Sequence, residues 1–231
     1  MIKTSDLVIL LALAALFLPF ILFERIYNFY DQFYFNYPFL TSFMKFAILA
    51  TAGELIGLRI RTGSYFTKGF GIAPRAIVWG VLGITIQAAF IIFAQGVPIL
   101  LEFMGFTGSP SAMEGEFSIS KLGTAFSISL LLNLFYAPVL MTAHKITDSH
   151  IKRTGGTIRG FFGRMDVAII LSEINWDSHW GFVLRKTIIL FWIPAQTINF
   201  LMPEQFRVLI AAIYGIILGV ILAFAARAKA V

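Results

Sequence analysis

Residues 191–207 read FWIPAQTINFLMPEQFR. Trp192, Gln196, Asn199 and Arg207 follow one another at spacings of four, three and eight, and about 100° per residue gathers them into a narrow arc of one helix face. The surrounding residues are largely apolar. An amide without a partner in hydrocarbon costs several kcal/mol. Gln196 and Asn199 must therefore be held by neighbouring helices or face a cavity, and the rest of the chain decides which.

Composition fixes the class. The chain of 231 residues is 58% hydrophobic and only 13% charged, with 25 Phe and a mean hydropathy of +0.85. A soluble domain would carry about twice that share of charge. The expectation is an all-α, polytopic membrane protein forming a single domain over 1–231. With no cysteine, disulfides, thiolate metal sites and cysteine nucleophiles are excluded.

Apolar stretches lie near 7–23, 39–58, 76–101, 122–143, 186–202 and 205–226, each about long enough to cross a ~30 Å hydrocarbon core. Six spans with both termini cytoplasmic would place 14 of the 18 Lys and Arg on the inner side. Only Arg25, Lys121 and Arg207 would lie outside, with Lys45 inside the second span. The net charge of +6 is then a topology signal facing anionic lipid, and nucleic acid is not an expected partner. The first stretch ends in Phe23-Glu24-Arg25 without a small-residue cleavage site, so it reads as a retained helix. YNFYDQFYFNYPF (27–39) reads as an aromatic anchor in the outer headgroup layer rather than an aromatic cage for a ligand. In the cytoplasmic stretch 144–185, MDVAIILSEI (165–174) is too short to span and reads as a surface helix. RTGGTIRG (153–160) lacks the Lys-Ser/Thr ending of a phosphate loop and reads as a flexible basic loop.

Polar residues inside the spans are the candidate site: Glu54, Gln87, Asn133, Gln196 and Asn199. Glu54 is the costliest, because a carboxylate at depth must be protonated, paired or wet, and Arg59 or Arg61 could reach back to it. Each amide serves either as glue between helices, worth under about 1 kcal/mol, or as lining for a solute. Phe135-Tyr136-Ala137-Pro138 and Phe191-Trp192-Ile193-Pro194 repeat an aromatic-aromatic-x-Pro break in two spans of opposite direction, which points to a central site near Asn133, Gln196 and Asn199. Arg207 is expected near the outer interface, close to Glu204 or an outer-loop acid. His144 and Asp148 share a helix face in HKITDSH but have no completing ligands, so neither a metal site nor a catalytic residue nor a cofactor is expected, and no enzyme motif is present.

The opening stretch also resembles the C-terminal signature of the family named after Mpv-seventeen and the twenty-two-kilodalton peroxisomal membrane protein. Trp192, Gln196, Asn199 and Phe200 match it in spacing, with Pro203 and Arg207 each one residue early. YPFLTSFMKFAILATAGELIG (37–57) is similar to the family's Tyr-Pro-x-x-Thr helix and its Gly-Asp pair, here Gly53-Glu54. LLLNLFYAP (130–138) is similar to Asp-Gln-x-x-x-Ala-Pro, with Asn133, Ala137 and Pro138 in place, and Arg75 and Gly80 fit the start of the next helix. Leu132 stands where the family has Asp, and Leu58 where it has Gln. The resemblance covers 37–226, leaving 1–36 as an extra helix with its aromatic segment. It implies a four-helix core proposed to form non-selective pores for small solutes. With no Arg/Ser-rich transit segment ahead of the first helix, a bacterial inner-membrane relative is expected. Function is therefore read as a channel or pore-like protein for small solutes, lined by Glu54 and the amides. The alternative is a non-transporting subunit of a larger membrane assembly. The expected partners are the bilayer and either further copies of the chain or other membrane subunits.

Overall fold

A computed structural model describes residues 3–228, and among them there are helices and no strand. The long elements are α1 (Thr4–Leu22), α2 (Glu24–Asn36), α3 (Pro38–Thr62), α4 (Ile72–Phe103), α6 (Ile119–Phe135), α7 (Ala137–Arg153) and α12 (Glu204–Ala228). Short helices α5 (Ser109–Glu114), α8 (Ile158–Phe161), α9 (Val167–Glu173) and α10 (Trp176–Ser178) fill the connections. A π-helix (His179–Trp192) runs directly into α11 (Ile193–Phe200). Four helices, α1, α3, α4 and α12, are long and apolar enough to cross a membrane, and α6 with α7 makes a fifth if that bent pair counts as one.

Proline sets the breaks. Pro138 lies in the first turn of α7 and has no N–H to continue α6, and the two helices meet at a 41° bend. Pro194 lies in the first turn of α11, where the wide π turns give way to α turns. The carbonyl of Ile193 beside it accepts the hydroxyls of Ser129 on α6 and Thr197, each at 2.7 Å. The repeated aromatic-proline pattern therefore marks two real discontinuities, stitched together by Ser129.

Glycine brings α3 against both its partners. A Cβ on Gly83 would fall 2.6 Å from the carbonyl of Ser42, and one on Gly80 would enter the Phe43 ring. A Cβ on Gly53 would lie 2.9 Å from Ile216 of α12. Close backbone approach at small residues is how membrane helices gain contact without a hydrophobic drive between them. The core shared by α3, α4, α6, α11 and α12 is centred on Phe46, Phe90, Ile128, Phe200 and Ala212. Phe200, in the family-like motif, is fully enclosed, with its ring 5.2 Å from that of Phe90.

The aromatic segment 27–39 forms most of α2. Tyr34 and Tyr30 place their rings 4.6 and 5.1 Å from the Lys45 ammonium, whose Nζ also reaches the Gln205 carbonyl at 3.4 Å. The one basic residue inside the second apolar stretch is thus held by tyrosine faces of the chain itself.

RTGGTIRG is packed rather than loose. Gly155 and Gly156, both at positive φ, cap α7, with the N–H of Gly156 donating to the Ile151 carbonyl at 2.8 Å. A Cβ on Gly156 would fall 2.6 Å from the Gly69 carbonyl and 2.7 Å from the Gly71 nitrogen, so backbone lies on backbone there. The segment 165–174 does form a helix, α9, and it buries Ile170. Segments 63–71 and 154–178 lie together at one end of the bundle, called the basic end below.

Candidate functional site

The basic end is organised around Arg75. Its side chain is 5% exposed and lies between two carboxylates, pairing Glu54 of α3 through one guanidinium nitrogen and Asp148 of α7 through another. The third nitrogen donates to the Phe70 carbonyl at 2.7 Å, and the Phe70 ring lies 4.3 Å from the guanidinium carbon. Glu54 keeps a second oxygen free of Arg75. That oxygen accepts the indole N–H of Trp79 at 2.8 Å and Nε2 of His144 at 3.0 Å. A carboxylate so placed is acceptor-only, which assigns the shared hydrogen to His144 Nε2. The imidazole also packs on Trp79, ring centres 4.3 Å apart, and Lys152 donates to Asp148 at 2.7 Å.

Helix periodicity explains how these groups meet. Arg75 with Trp79 and His144 with Asp148 are i, i+4 pairs, each presenting two side chains on one face. Glu54 points to the crevice where those faces converge. The expectation that Arg59 or Arg61 neutralises Glu54 is corrected: Arg59 pairs with Asp6 of α1 at 2.7 Å. Five residues on a helix turn a side chain roughly 140° away, so Arg59 faces α1 while Glu54 faces α4 and α7.

From this network a cavity of about 710 Å³ runs into the bundle. Its wall on α4 ends at Phe90, its wall on α3 at Phe46, and its wall on α12 at Ala211. Glu54, Asn133 and Gln196 line it, as does Trp192. Gln87 and Asn199 do not. Gln87 is 2% exposed, and its amide oxygen accepts from Ser42 at 2.9 Å across the α3–α4 contact. Asn199 is fully enclosed, donating to Gln196 Oε1 at 2.7 Å and to the Arg207 carbonyl at 2.9 Å. Both lie outside its lining, as does Phe200, whose ring packs on Phe90 of the wall.

The other motif residues have structural positions. Gly53 admits Ile216, Pro138 makes the bend and Phe200 fills the core. Pro203 directly precedes α12. Arg207 lies within electrostatic reach of Glu204, as expected, and it also donates to the carbonyls of Met202 at 3.0 Å and Phe200 at 3.4 Å, closing the end of α11.

Sequence reasoning missed the roles of Arg75, Trp79 and Lys145. Arg75 read as one more inner-side charge, although its i, i+4 spacing from Trp79 was visible. Among the described residues no group of three or more His, Cys, Asp or Glu is arranged to hold a metal ion. What the arrangement can do is narrower: present a charged, hydrogen-bonded entrance to a cavity whose inner end offers neutral amides. The chain matches no known family, no curated protein and no solved structure, and the site stands on its own residues.

Proposed function

We propose that the chain is a membrane-integral conduit for small solutes, with the cavity as its cytoplasmic vestibule. The observation that carries this is one continuous cavity joining the Glu54–Arg75–His144–Asp148 entrance to Asn133, Gln196 and Trp192 in the core. Unsaturated polar groups in a membrane bundle are retained where water or solute reaches them. The Phe90–Phe200 pair and the buried amides Gln87 and Asn199 act as the closure toward the opposite face. In this reading six segments cross the bilayer, 186–202 among them, both ends are cytoplasmic, and the membrane is a bacterial inner membrane. The Lys/Arg distribution supports the orientation, as does the Asp6–Arg59 pair, which joins the start of α1 to the end of α3. The resemblance to the Mpv-seventeen family supports the same reading.

The test is solute flux in proteoliposomes. Gly215 and Gly219 line the cavity, and a Cβ on either meets nothing within 4 Å. Gly215→Leu and Gly219→Leu should therefore fill the vestibule and lower flux while leaving thermal stability close to wild type. A wild-type protein that passes no solute would overturn the conduit and favour a non-transporting subunit. Cysteines replacing Ser64 and Thr157 should react from the cytoplasmic side and one replacing Glu116 from the other, and a shared side would refute the orientation.

A further inference from the structure

We propose that the vestibule selects small hydroxylated organic anions, such as sugar acids or sugar phosphates. The inference rests on the conduit reading for its flux arm and on the cavity alone for its binding arm.

Charge comes first. The wall carries Arg61, Lys68, Arg75, Lys145 and Lys152 against Glu54 and Asp148. Both carboxylates are already engaged, Glu54 by Arg75 and Asp148 by Arg75 and Lys152. Arg61, Lys68 and Lys145 are left with no carboxylate partner among the described residues, and Lys145 is half-buried. A cation that has lost part of its water and found no counterion attracts an anion, and low-dielectric walls focus that attraction. Arg75 cannot serve this purpose, because two carboxylates already neutralise its charge. Selection of the sign of the solute thus falls to Lys145, with Arg61 and Lys68 at the rim.

The inner end supplies a different chemistry. Gln196 is 5% exposed and Asn133 3%. Gln196 Oε1 is taken by Asn199, which leaves its amide N–H groups facing the cavity. Asn133 spends Nδ2 on the Ser129 carbonyl at 2.9 Å, which leaves Oδ1. The Gln196 donors beside the Asn133 acceptor suit a hydroxyl, which both accepts and donates. A bare inorganic anion has no use for the acceptor, and a hydrocarbon has no use for either. Asn133 and Lys145 are twelve residues apart on a bent helix pair, at most about 18 Å, so a small solute meets the cations and the amides in succession.

The experiment compares gluconate, sorbitol and N-methylglucamine, which share a polyol chain and differ in charge. In proteoliposomes gluconate should cross about tenfold faster than N-methylglucamine, with sorbitol between them. Lys145→Gln should bring the gluconate-to-sorbitol ratio several-fold closer to one. Equal flux of all three would overturn the proposal while leaving the conduit intact. If no solute crosses, the conduit reading fails and binding decides the inference alone. At fixed ionic strength gluconate should raise the thermal midpoint of the detergent-solubilised protein more than methanesulfonate, an anion without hydroxyls, and Lys145→Gln should abolish the difference. No stabilisation by gluconate would overturn the proposal, and equal stabilisation by methanesulfonate would remove its hydroxyl half. Stabilisation by phosphatidylglycerol but not gluconate would assign the cations to a lipid headgroup and refute solute selection.

Discussion

Replacing Arg75 by Gln removes one residue from three helices at once. The substitution deletes the pairs to Glu54 and Asp148, the hydrogen bond to Phe70 and the contact with its ring. Two carboxylates, 17% and 13% exposed, then face the same crevice without the cation between them. Breaking a buried pair by removing one partner costs about 3–5 kcal/mol, because the remaining charge stays desolvated. Glu54 retains Trp79 and His144, and Asp148 retains a mostly exposed Lys152, so the lower end of that range is expected. About 3 kcal/mol corresponds to a fall of roughly 6–12 °C in thermal midpoint for a chain of this size. The assay is thermal unfolding in detergent, carried through Arg75→Gln, Glu54→Gln, Asp148→Asn and the triple variant. Removing all three charges together leaves no stranded ion, so the triple variant should recover most of the lost stability. A single Arg75→Gln costing under about 1 kcal/mol, or a triple variant no better than that single one, would refute the account of buried charge.

Gly83→Ala should destabilise by about 1–3 kcal/mol, since its Cβ would enter the Ser42 carbonyl, whereas Gly215→Ala should be neutral or slightly stabilising; paired unfolding curves decide it. Phe200→Ala should cost about 3–5 kcal/mol and, on the proposed conduit reading, increase solute leak, because it removes half of the ring pair proposed as the closure; unchanged flux in a folded variant would argue against that closure. Burial, with Lys145 nearby, holds the His179 imidazole below its usual range. The unfolded chain therefore takes up that proton more readily, and stability falls as pH drops through the unfolded value of about 6.5. His179→Gln should flatten the loss of stability between about pH 7 and 5 relative to wild type.

The membrane helices were legible because hydrocarbon leaves an apolar backbone few alternatives to helix. The stretches 39–58, 76–101 and 205–226 became Pro38–Thr62, Ile72–Phe103 and Glu204–Ala228, each extended at its ends where polar residues continue the turn outside the apolar run. Pro138 and Pro194 were readable as breaks, since a missing N–H acts locally. The partner of Glu54 was not readable. Spacing along one helix tells which residues share a face, but not which helix covers that face, and Arg75 and His144 lie 21 and 90 residues away. The same limit explains Gln87 and Asn199. Nothing local distinguishes an amide that lines a cavity from one held between helices by Ser42 or by the carbonyl of Arg207. The glycine pair at 155–156 suggested slack because glycine is permissive, yet lacking side chains is also what allows two backbones to touch.

Trp79 makes the entrance optically addressable. Its indole donates to Glu54 while its face lies against His144, so its emission should respond to a change in either contact. Trp192 stands at the other end of the same cavity with an unbonded N–H, and Trp176 and Trp180 are surface residues. Replacing the two surface tryptophans by Phe would leave a chain carrying one tryptophan at the entrance and one in the depth. Occupancy could then be followed from either end in the intact bilayer, with no label attached.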